Sequence, residues 1–542
     1  MKKLSQTKWL DSEQKVLSAR TDGKNLVELT AYQNIALWWF IRFRLYHSEE
    51  TNRLAQILMK NGFLFSFVDF LYDLLTSTLC KLVSMFFKAR VDKKGPKVLM
   101  VAHNLQWKRE LNPTGVSRKC DVFLDPIMKE LKKRDYTSVT ISSLKYSVSA
   151  VKIMIERLKA EDVIHRESNA YWSPKIWSRQ FYANKYFRNL WKNLSKKDAR
   201  FVALLQKGRL AKEMPYYFNS FFGHIVKQIE MAKEAVKEEK PDLILVTSEG
   251  SGIFEKALLV AGKLKKIPTL AVQHGHIGPL HQGYMHFKNS ISPSGSIQSP
   301  YLQIADKTVV YGPFHYNFLT KISAYPASAV AVTGQPRYDR LLMANRIFSR
   351  EEFCAKLGLA PDRKIVLVAT QQVPMRKAFI ESVLKGLKPF PDVQTIVKPH
   401  PKENSELYEK LIEEEKMRVV LLPREAETLE ALYACDLLVA MSSTVITEAT
   451  ILRKPAVTVR SIGEDPAPFY EEVTLRIDLG EDLVPIFRKA LYDEKTREKL
   501  KKAEKKFAFN HTYKQDGKAT ERVVDLIQQM IQNKTKRAQS AV

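Results

Sequence analysis

The sequence has few cysteines, and it lacks the short motifs that hold metals or phosphates in familiar loops. Its four cysteines lie far apart without a CxxC pair, which excludes an obvious zinc site or disulfide framework and suits a reducing cytoplasm. No DxD pair follows a candidate strand, and neither a P-loop nor a GxSxG motif occurs. We therefore expect no metal and no cofactor, with helix dipoles and basic side chains stabilising any leaving group.

The sequence also lacks a long uncharged apolar run. Its first twenty residues have no apolar core of a signal peptide, and charged residues interrupt the most apolar stretch, 61–90, so it is a poor membrane span. Two readings of this extension, residues 1–95, stay open. With Trp38, Trp39 and Phe40 upstream, and with Lys88 and Arg90 flanking it, the stretch suits a helix lying among anionic headgroups; it equally suits an amphipathic helix packed on the protein body.

Acidic residues are in short supply relative to basic ones. The chain of 542 residues has a formal net charge of +28, which favours polyanionic partners such as nucleic acid, anionic lipid or phosphorylated substrates. No zinc-finger spacing, RNA-recognition motif or arginine-rich arm accompanies the charge, so nucleic acid is not the expected partner.

Two series of short β-branched runs alternate with helical patterns, which is typical of parallel sheets wound with helices. In the first domain, residues 96–345, the candidate strands are 97–103, 138–143, 242–248, 269–275, 308–312 and 329–334. In the second domain, residues 346–533, they are 364–370, 395–401, 418–422, 436–443 and 456–459. A basic helical insertion is predicted near 151–232 and a polar tail over 534–542. The pattern predicts an α/β protein with two Rossmann-like, doubly wound domains, after an N-terminal helical extension.

The second domain has the clearest candidate site for a nucleotide donor. Ligands of open α/β sheets bind beyond the carboxyl ends of the strands. There, Ser442, Ser443 and Thr444 open a helix whose free N–H groups attract phosphate, and Glu448 lies one turn on, within reach of ribose hydroxyls. An N-cap role for these hydroxyls is the simpler alternative.

A second motif strengthens this interpretation. In VKPHP, Lys398 and His400 follow a buried strand and supply a cation and an imidazole for a diphosphate. VTGQPRYD contributes Gly334 to the donor-side set, although a hinge at the cleft between the domains explains this segment equally well.

The first domain has two strand ends that suit an acceptor and a general base. Glu249, His274 and His276 are the candidate bases, because imidazole and carboxylate groups accept protons near neutral pH. Their neighbours form the candidate acceptor pocket, in which glycines allow close approach of a ligand. These neighbours are Gly250, Ser251, Gln273 and Gly275. Structural roles for the same side chains stay open.

The ordered set QHGHIG, VTGQPRYD, VKPHP and SSTVITEATILRKPAVTV resembles the GT-B superfamily around CDP-glycerol glycerophosphotransferases, capsule-polysaccharide transferases and related sialyltransferases. This resemblance, over about 97–530, implies that His400 and residues 442–444 bind the nucleotide phosphates and that His274 is the catalytic histidine. Gln273 replaces the tryptophan common in the glycerophosphotransferases. VTGQPRYD, KPHPKEN and Glu448 also resemble non-hydrolysing UDP-N-acetylglucosamine 2-epimerases.

These observations lead to one primary hypothesis and two alternatives. The primary hypothesis is a cytoplasmic, metal-independent transferase that moves a sugar or polyol phosphate from a CDP-, CMP- or UDP-linked donor to a glycan, polymer or lipid-linked acceptor of the cell surface, with peripheral contact to an anionic membrane. The first alternative is a UDP-N-acetylglucosamine 2-epimerase-like enzyme. The second is a non-catalytic protein that binds glycan or anionic lipid.

Overall fold

The computed structural model describes most of the chain, with gaps between the described ranges. The described residues are 13–14, 17–46, 62–86, 95–111, 117–142, 148–159, 163–197, 209–247, 249–278, 281–287, 290–292, 295, 297–401, 403–441, 443–461 and 468–540. Ser442, like Ser143 and Ser248 at the ends of two predicted strands, lies outside them, and so do Lys88 and Arg90.

The described part of the extension includes three helices and two short hairpins. The hairpin strands are β1 (Arg20–Thr21), β2 (Lys24–Asn25), β3 (Ala31–Tyr32) and β4 (Ile35–Ala36). The helices are α1 (Leu26–Leu29), α2 (Trp38–Tyr46) and α3 (Gly62–Phe86). Trp38, Trp39 and Phe40 are buried in the same core cluster as the first sheet. Because they face the body, the lipid contact predicted for these three residues is wrong.

The first domain is built on a seven-stranded parallel sheet in the order β13-β12-β11-β10-β5-β8-β9. Its strands are β5 (Lys97–Val101), β8 (Thr137–Ser142), β9 (Ile164–Glu167), β10 (Leu243–Val246), β11 (Thr269–Val272), β12 (Lys307–Val310) and β13 (Val330–Val332). An antiparallel hairpin of β6 (Trp107–Leu111) and β7 (Ser117–Asp121) follows β5. β9 lies within the stretch predicted to be a purely helical insertion.

Seven helices of the described residues accompany this sheet. They are α4 (Asp125–Lys133), α5 (Val148–Leu158), α6 (Pro174–Lys197), α7 (Arg209–Tyr216), α8 (Phe222–Glu239), α9 (Ile253–Leu264) and α10 (Pro313–Asn317). A π-helical turn, Tyr217–Phe221, joins α7 to α8.

The second domain has a six-stranded parallel sheet in the order β16-β15-β14-β17-β18-β19. Its strands are β14 (Lys364–Ala369), β15 (Val393–Lys398), β16 (Val419–Leu421), β17 (Leu437–Ala440), β18 (Ala456–Arg460) and β19 (Leu475–Asp478). The helices from the domain connection onward are α11 (Ala344–Ile347), α12 (Arg350–Leu357), α13 (Arg376–Leu387), α14 (Glu406–Glu415), α15 (Thr428–Ala434), α16 (Thr444–Ile451), α17 (Val484–Tyr492), α18 (Glu494–Thr512) and α19 (Ala519–Gln539).

Alternation along the central strands divides each domain into two apolar layers, because successive strand side chains point to opposite faces. In β10, Ile244 and Val246 join the core with the extension, α8 and α9. Leu243 and Leu245 join the opposite core, to which α19 contributes Val523 and Ile527. The last helix thus returns to the first sheet, and the polar residues from 534 to 539 prolong it. The domain bounds given above stay a prediction.

Within the described part of the chain, no helix is both long enough and apolar enough to cross a bilayer.

Candidate functional site

The carboxyl ends of three neighbouring strands meet at one edge of the second sheet. Register pairs Ala369 at the end of β14 with Lys398 on one side and with Ala440 on the other. His400 lies just beyond β15, and its backbone N–H donates to Thr370 Oγ1 at 3.1 Å and to Glu403 Oε2 at 2.9 Å. Two strand spacings separate the KPHP and SST segments, about 10 Å between backbones. A ligand with more than one anionic group is therefore needed to span both.

The start of α16 has the geometry expected of a helix that begins at a strand end. Ser443 is its N-cap, and its hydroxyl accepts from the Val445 N–H at 3.3 Å. Thr444 is the first helical residue, so its N–H lies among the unpaired donors of the first turn. The predicted N-cap alternative is thus observed for Ser443. The Ile446 N–H also donates to the Ser443 carbonyl, at 3.1 Å, so the Thr444 N–H is the first-turn donor offered to a ligand.

Three cations converge near this edge, although the sequence indicated only one of them. Lys398 is 3% exposed and donates to the carbonyls of Pro399 and Arg424, both at 2.8 Å. Burial, together with the charge of Lys108 on β6, lowers the pKa of Lys398 to about 8. Arg337, from VTGQPRYD, lies 3.2 Å from the buried carboxylate of Glu448. Glu448 therefore has a protein partner where a ribose contact was predicted.

The corresponding edge of the first domain holds a histidine–carboxylate pair that the sequence did not reveal. His103 follows β5, and its Nε2 lies 2.6 Å from Glu255 Oε1. The His103 side chain is 39% exposed, whereas Glu255 is 3% exposed at the start of α9. Although burial opposes protonation, the Glu255 carboxylate raises the pKa of His103. A Cβ at position 252 would overlap the Glu255 carboxylate where it now lies, so a larger residue there would displace that carboxylate.

His274 belongs to the same constellation. It follows β11, two strands from β5 in the sheet, and its ring hydrogen-bonds the backbone of Thr247. Its Nδ1 is shielded from solvent and has no hydrogen-bond partner among the described residues. Burial and the nearby His103 charge lower the pKa of His274, so the ring is neutral near pH 7. A neutral ring that donates through one nitrogen has a lone pair on the other.

The other predicted first-domain residues have mainly structural contacts. Glu249 is buried and accepts from Ala305 N, Thr308 Oγ1 and Tyr325 OH, which leaves it facing the interior as a packed carboxylate. The Gln273 amide bridges Gly275 O and Tyr311 N. These contacts do not support a base role for Glu249 or an acceptor role for Gln273.

The predicted glycines and their neighbour differ in their surroundings. A Cβ on Gly250 would lie 2.8 Å from the Tyr284 ring, so close packing accounts for this glycine. Gly334, at φ +83°, packs against Ala519 of α19, which gives it a structural reason distinct from donor binding. Gly275 has open space beside its Cα, and Ser251 is partly exposed. Only these last two fit a ligand-lined surface.

A cavity of about 540 Å³ is lined by Ala102, the residue that precedes His103 in the chain. It is lined by six Lys or Arg side chains and three Asp or Glu side chains, together with Trp107 and His165. Arg157 donates to the His103 carbonyl at 2.7 Å, while its Nε and Nη1 have no hydrogen-bond partner among the described residues. The excess of positive charge suits an anionic ligand in this cavity.

Three carboxylate and thiol groups near this cavity could be mistaken for a metal site. One ligand atom from each of Glu110, Cys120 and Asp125 lies within 4.8 Å of the others. Arg340 pairs with Glu110, and Arg118 pairs with Asp125. Burial raises the pKa of the Cys120 thiol, so a metal would first have to displace its proton. Ion pairing accounts for this cluster.

His276 lies in a separate histidine cluster, although the sequence grouped it with His274. Its Nδ1 is 3.4 Å from His315 Nε2, and the His315 ring contacts His511 of α18 at 5.7 Å between centroids. His511 stacks on Phe507 and Phe314. Burial lowers the pKa of His276 to about 3 and that of His511 to about 4.

We expect this cluster to make the protein acid-sensitive. In the unfolded chain these histidines bind protons below their ordinary pKa near 6.5, whereas in the folded protein they stay neutral until about pH 4 and 3. The free energy of unfolding therefore falls as the pH drops from 6.5 toward these lower values. Each such histidine contributes a slope of up to about 1.4 kcal/mol per pH unit. Urea unfolding at pH 7.5, 6 and 5 measures how the free energy of unfolding changes with pH. His511→Phe, which keeps the ring stack, should flatten the slope; an unchanged slope would contradict the assignment.

Comparisons with known proteins agree on the architecture. A family described as UDP-N-acetylglucosamine 2-epimerase matches residues 303–528. A solved UDP-GlcNAc 2-epimerase from Neisseria meningitidis, bound to UDP-GlcNAc, aligns with TM-score 0.51 and 15% identity over 80% of this chain and 100% of its own. The S. aureus MnaA–UDP structure aligns with TM-score 0.47 and 14% identity over 80% of this chain and 96% of its own. The Acinetobacter baumannii MurG structure aligns with TM-score 0.43 and 14% identity over 80% and 100%. No curated protein matches.

The similarity to the Neisseria meningitidis structure and the two parallel sheets confirm the predicted GT-B-like fold. The resemblance to CDP-glycerol glycerophosphotransferases in particular stays a prediction. The family match over 303–528 supports an enzyme that acts on nucleotide sugars.

Proposed function

We propose that the chain is a transferase that moves a sugar or polyol phosphate from a nucleotide-linked donor to a hydroxyl of a glycan, polymer or lipid-linked acceptor at the cytoplasmic face of a membrane. The observation that carries the proposal is the pairing of two strand-end sites. One has cations and a helix start suited to a nucleotide diphosphate, and the other has an imidazole–carboxylate pair near a basic cavity.

The β6–β7 hairpin supports a connection between the two sites. It leaves the first sheet just after His103, and Lys108 on it is close enough to Lys398 and Glu448 to influence the pKa of each. A donor phosphate bound near Lys398 and α16 would thus also meet a cation from the first domain. Charge neutralisation of a leaving diphosphate by such fixed groups is an effective form of catalysis.

On the acceptor side, His103 is the better-equipped base. Glu255 orients its ring and favours the imidazolium that forms when it takes a proton from the acceptor hydroxyl. His274, whose Nδ1 lone pair has no partner among the described residues, is the second candidate. The basic cavity lined by Ala102 suits an acceptor that carries phosphate or carboxylate groups.

Nucleotide binding tests the donor half of the proposal. A thermal-shift screen with CDP-, CMP-, UDP- and GDP-linked donors should reveal one class that raises the melting temperature, because ligands that bind only the folded state stabilise it. His400→Ala should weaken binding of that donor by about tenfold, the loss of one charge-assisted hydrogen bond. Asn404→Ala, a few residues beyond the motif, is the matched control. Equal affinity in His400→Ala would remove His400 from the donor site.

The family match over 303–528 favours a second candidate, a UDP-N-acetylglucosamine 2-epimerase-like activity. The match spans the donor domain and leaves out the strand ends that carry His103 and His274. It therefore does not decide between transfer to an acceptor and epimerisation of the sugar. Incubation with UDP-N-acetylglucosamine alone separates the candidates. Turnover without an acceptor supports the epimerase, whereas turnover that requires an added acceptor supports the transferase. Tight binding without any turnover would instead favour the non-catalytic alternative.

A further inference from the structure

Helix α3 has an exposed apolar face. Phe67, Leu71, Leu75, Leu79, Leu82 and Met85 recur at intervals of three and four residues, which places them on one side of a helix. Leu75 is 70% exposed and Met85 is 69% exposed. Scattered exposed apolar residues are ordinary, but a continuous stripe over five turns marks an interaction surface.

The opposite face of α3 is polar and buried. Asp69 and Asp73 both contact Lys227 of α8, at 3.1 and 2.7 Å. Farther along the same face, Thr76 accepts from Asn169 and Ser77 donates to the Trp172 carbonyl. The usual arrangement of an amphipathic helix on a globular protein is thereby reversed, because here the polar side faces the body and the apolar side faces outward.

A strongly basic helix lies beside α3. Gln180 of α6 donates to Asp69 at 2.7 Å, and Trp177 of α6 meets the Phe70 ring at 5.0 Å. The 24 residues of α6 include seven Lys or Arg and no Asp or Glu. Lys185 and Lys192 are exposed, as are Tyr182 and Tyr186. Tyrosine and lysine are the side chains that settle at the boundary between lipid and water.

We propose that the outward face of α3 docks on an anionic phospholipid bilayer, with the exposed lysines of α6 contacting the headgroups. The helix would lie flat, since its inner face is fixed to the body by the Lys227 ion pairs and no described helix can span a bilayer. Charge complementarity favours lipid over a second copy of this chain, because the copy would bring the same basic surface against itself. Membrane docking itself does not depend on the proposed function. Only its suggested role, bringing the enzyme to a lipid-linked acceptor, rests on that function.

Vesicle flotation with the full chain tests the proposal without donor or acceptor, so its failure and the failure of the transferase proposal are separate results. We expect binding to vesicles of 30% phosphatidylglycerol in phosphatidylcholine, and weaker binding to phosphatidylcholine alone. Leu75→Glu/Leu82→Glu should lower the partition coefficient at least tenfold. Lys185→Glu/Lys192→Glu should lower binding to the anionic vesicles and reduce its dependence on salt.

Leu264→Glu, at a residue 47% exposed on α9, is the matched control and should bind as the wild type does. Because all these positions are exposed, each variant should keep the wild-type melting temperature. Wild-type chain that stays out of the lipid fraction, or an equal loss in Leu264→Glu, would overturn the proposal. Self-association without lipid that Leu75→Glu/Leu82→Glu abolishes, in a chain that does not float, would overturn it in favour of an interface between copies.

Discussion

Replacing His103 with glutamine is expected to lower kcat by about 100-fold or more, the usual contribution of a general base, while donor affinity stays near the wild-type value. The expectation follows from the position of His103. Its ring is partly exposed, and Glu255 Oε1 lies 2.6 Å from its Nε2. Single-turnover kinetics with saturating donor measures the chemical step. His511→Phe is the control, because it removes a different buried histidine, on α18, whose ring stacks on Phe507.

The pH–rate profile of Glu255→Gln distinguishes a role of Glu255 in tuning His103 from a merely structural role. The carboxylate raises the pKa of His103, and a base acts only when deprotonated, so the acid limb of the pH–rate profile reports this pKa. Removing the charge should move that limb to lower pH and reduce the rate at neutral pH. If the limb stays in place, the base is not His103.

Much of the fold could be predicted from sequence because strand alternation and strand-end motifs are local signals. Eleven candidate strands correspond to observed strands, and the phosphate-type helix start at Ser443 appears where it was expected. The short strands β9 and β19 were missed. Each lies at an edge of its sheet, where the chain offers no long apolar run to reveal it.

The missed site residues have partners far away in the sequence. His103 pairs with Glu255, which lies 152 residues later, and Arg337 pairs with Glu448. Because these partners are distant in sequence, no local pattern could mark His103 or Arg337 as site residues. Helix α3 is a different case. The sequence shows that the helix is amphipathic, but not which of its faces packs on the protein body. The ion pair between Asp73 and Lys227 of α8 shows that the acidic face does.

Arg337→Met is expected to destabilise the protein by about 3 kcal/mol, because it leaves the Glu448 carboxylate buried without its guanidinium partner. Glu448 is 3% exposed on α16, whereas Arg337 follows β13, so the pair ties the segment that leaves the first sheet to the second domain. Urea unfolding measures the loss. Arg497→Met, which removes an exposed pair with Glu494, is the control and should cost less than about 0.5 kcal/mol.

The double variant Arg337→Met/Glu448→Gln should recover part of the loss, since a neutral amide costs less to bury than an unpaired charge. The pH dependence has a definite sign. Burial already raises the pKa of Glu448, and without Arg337 it rises further, so the folded variant holds a proton that the unfolded chain releases. That stabilisation is present at low pH and lost as the pH rises through the folded pKa. The deficit of Arg337→Met relative to wild type should therefore shrink as the pH falls from 7 to 5, and a constant deficit would mean that the guanidinium stabilises the domain connection by packing alone.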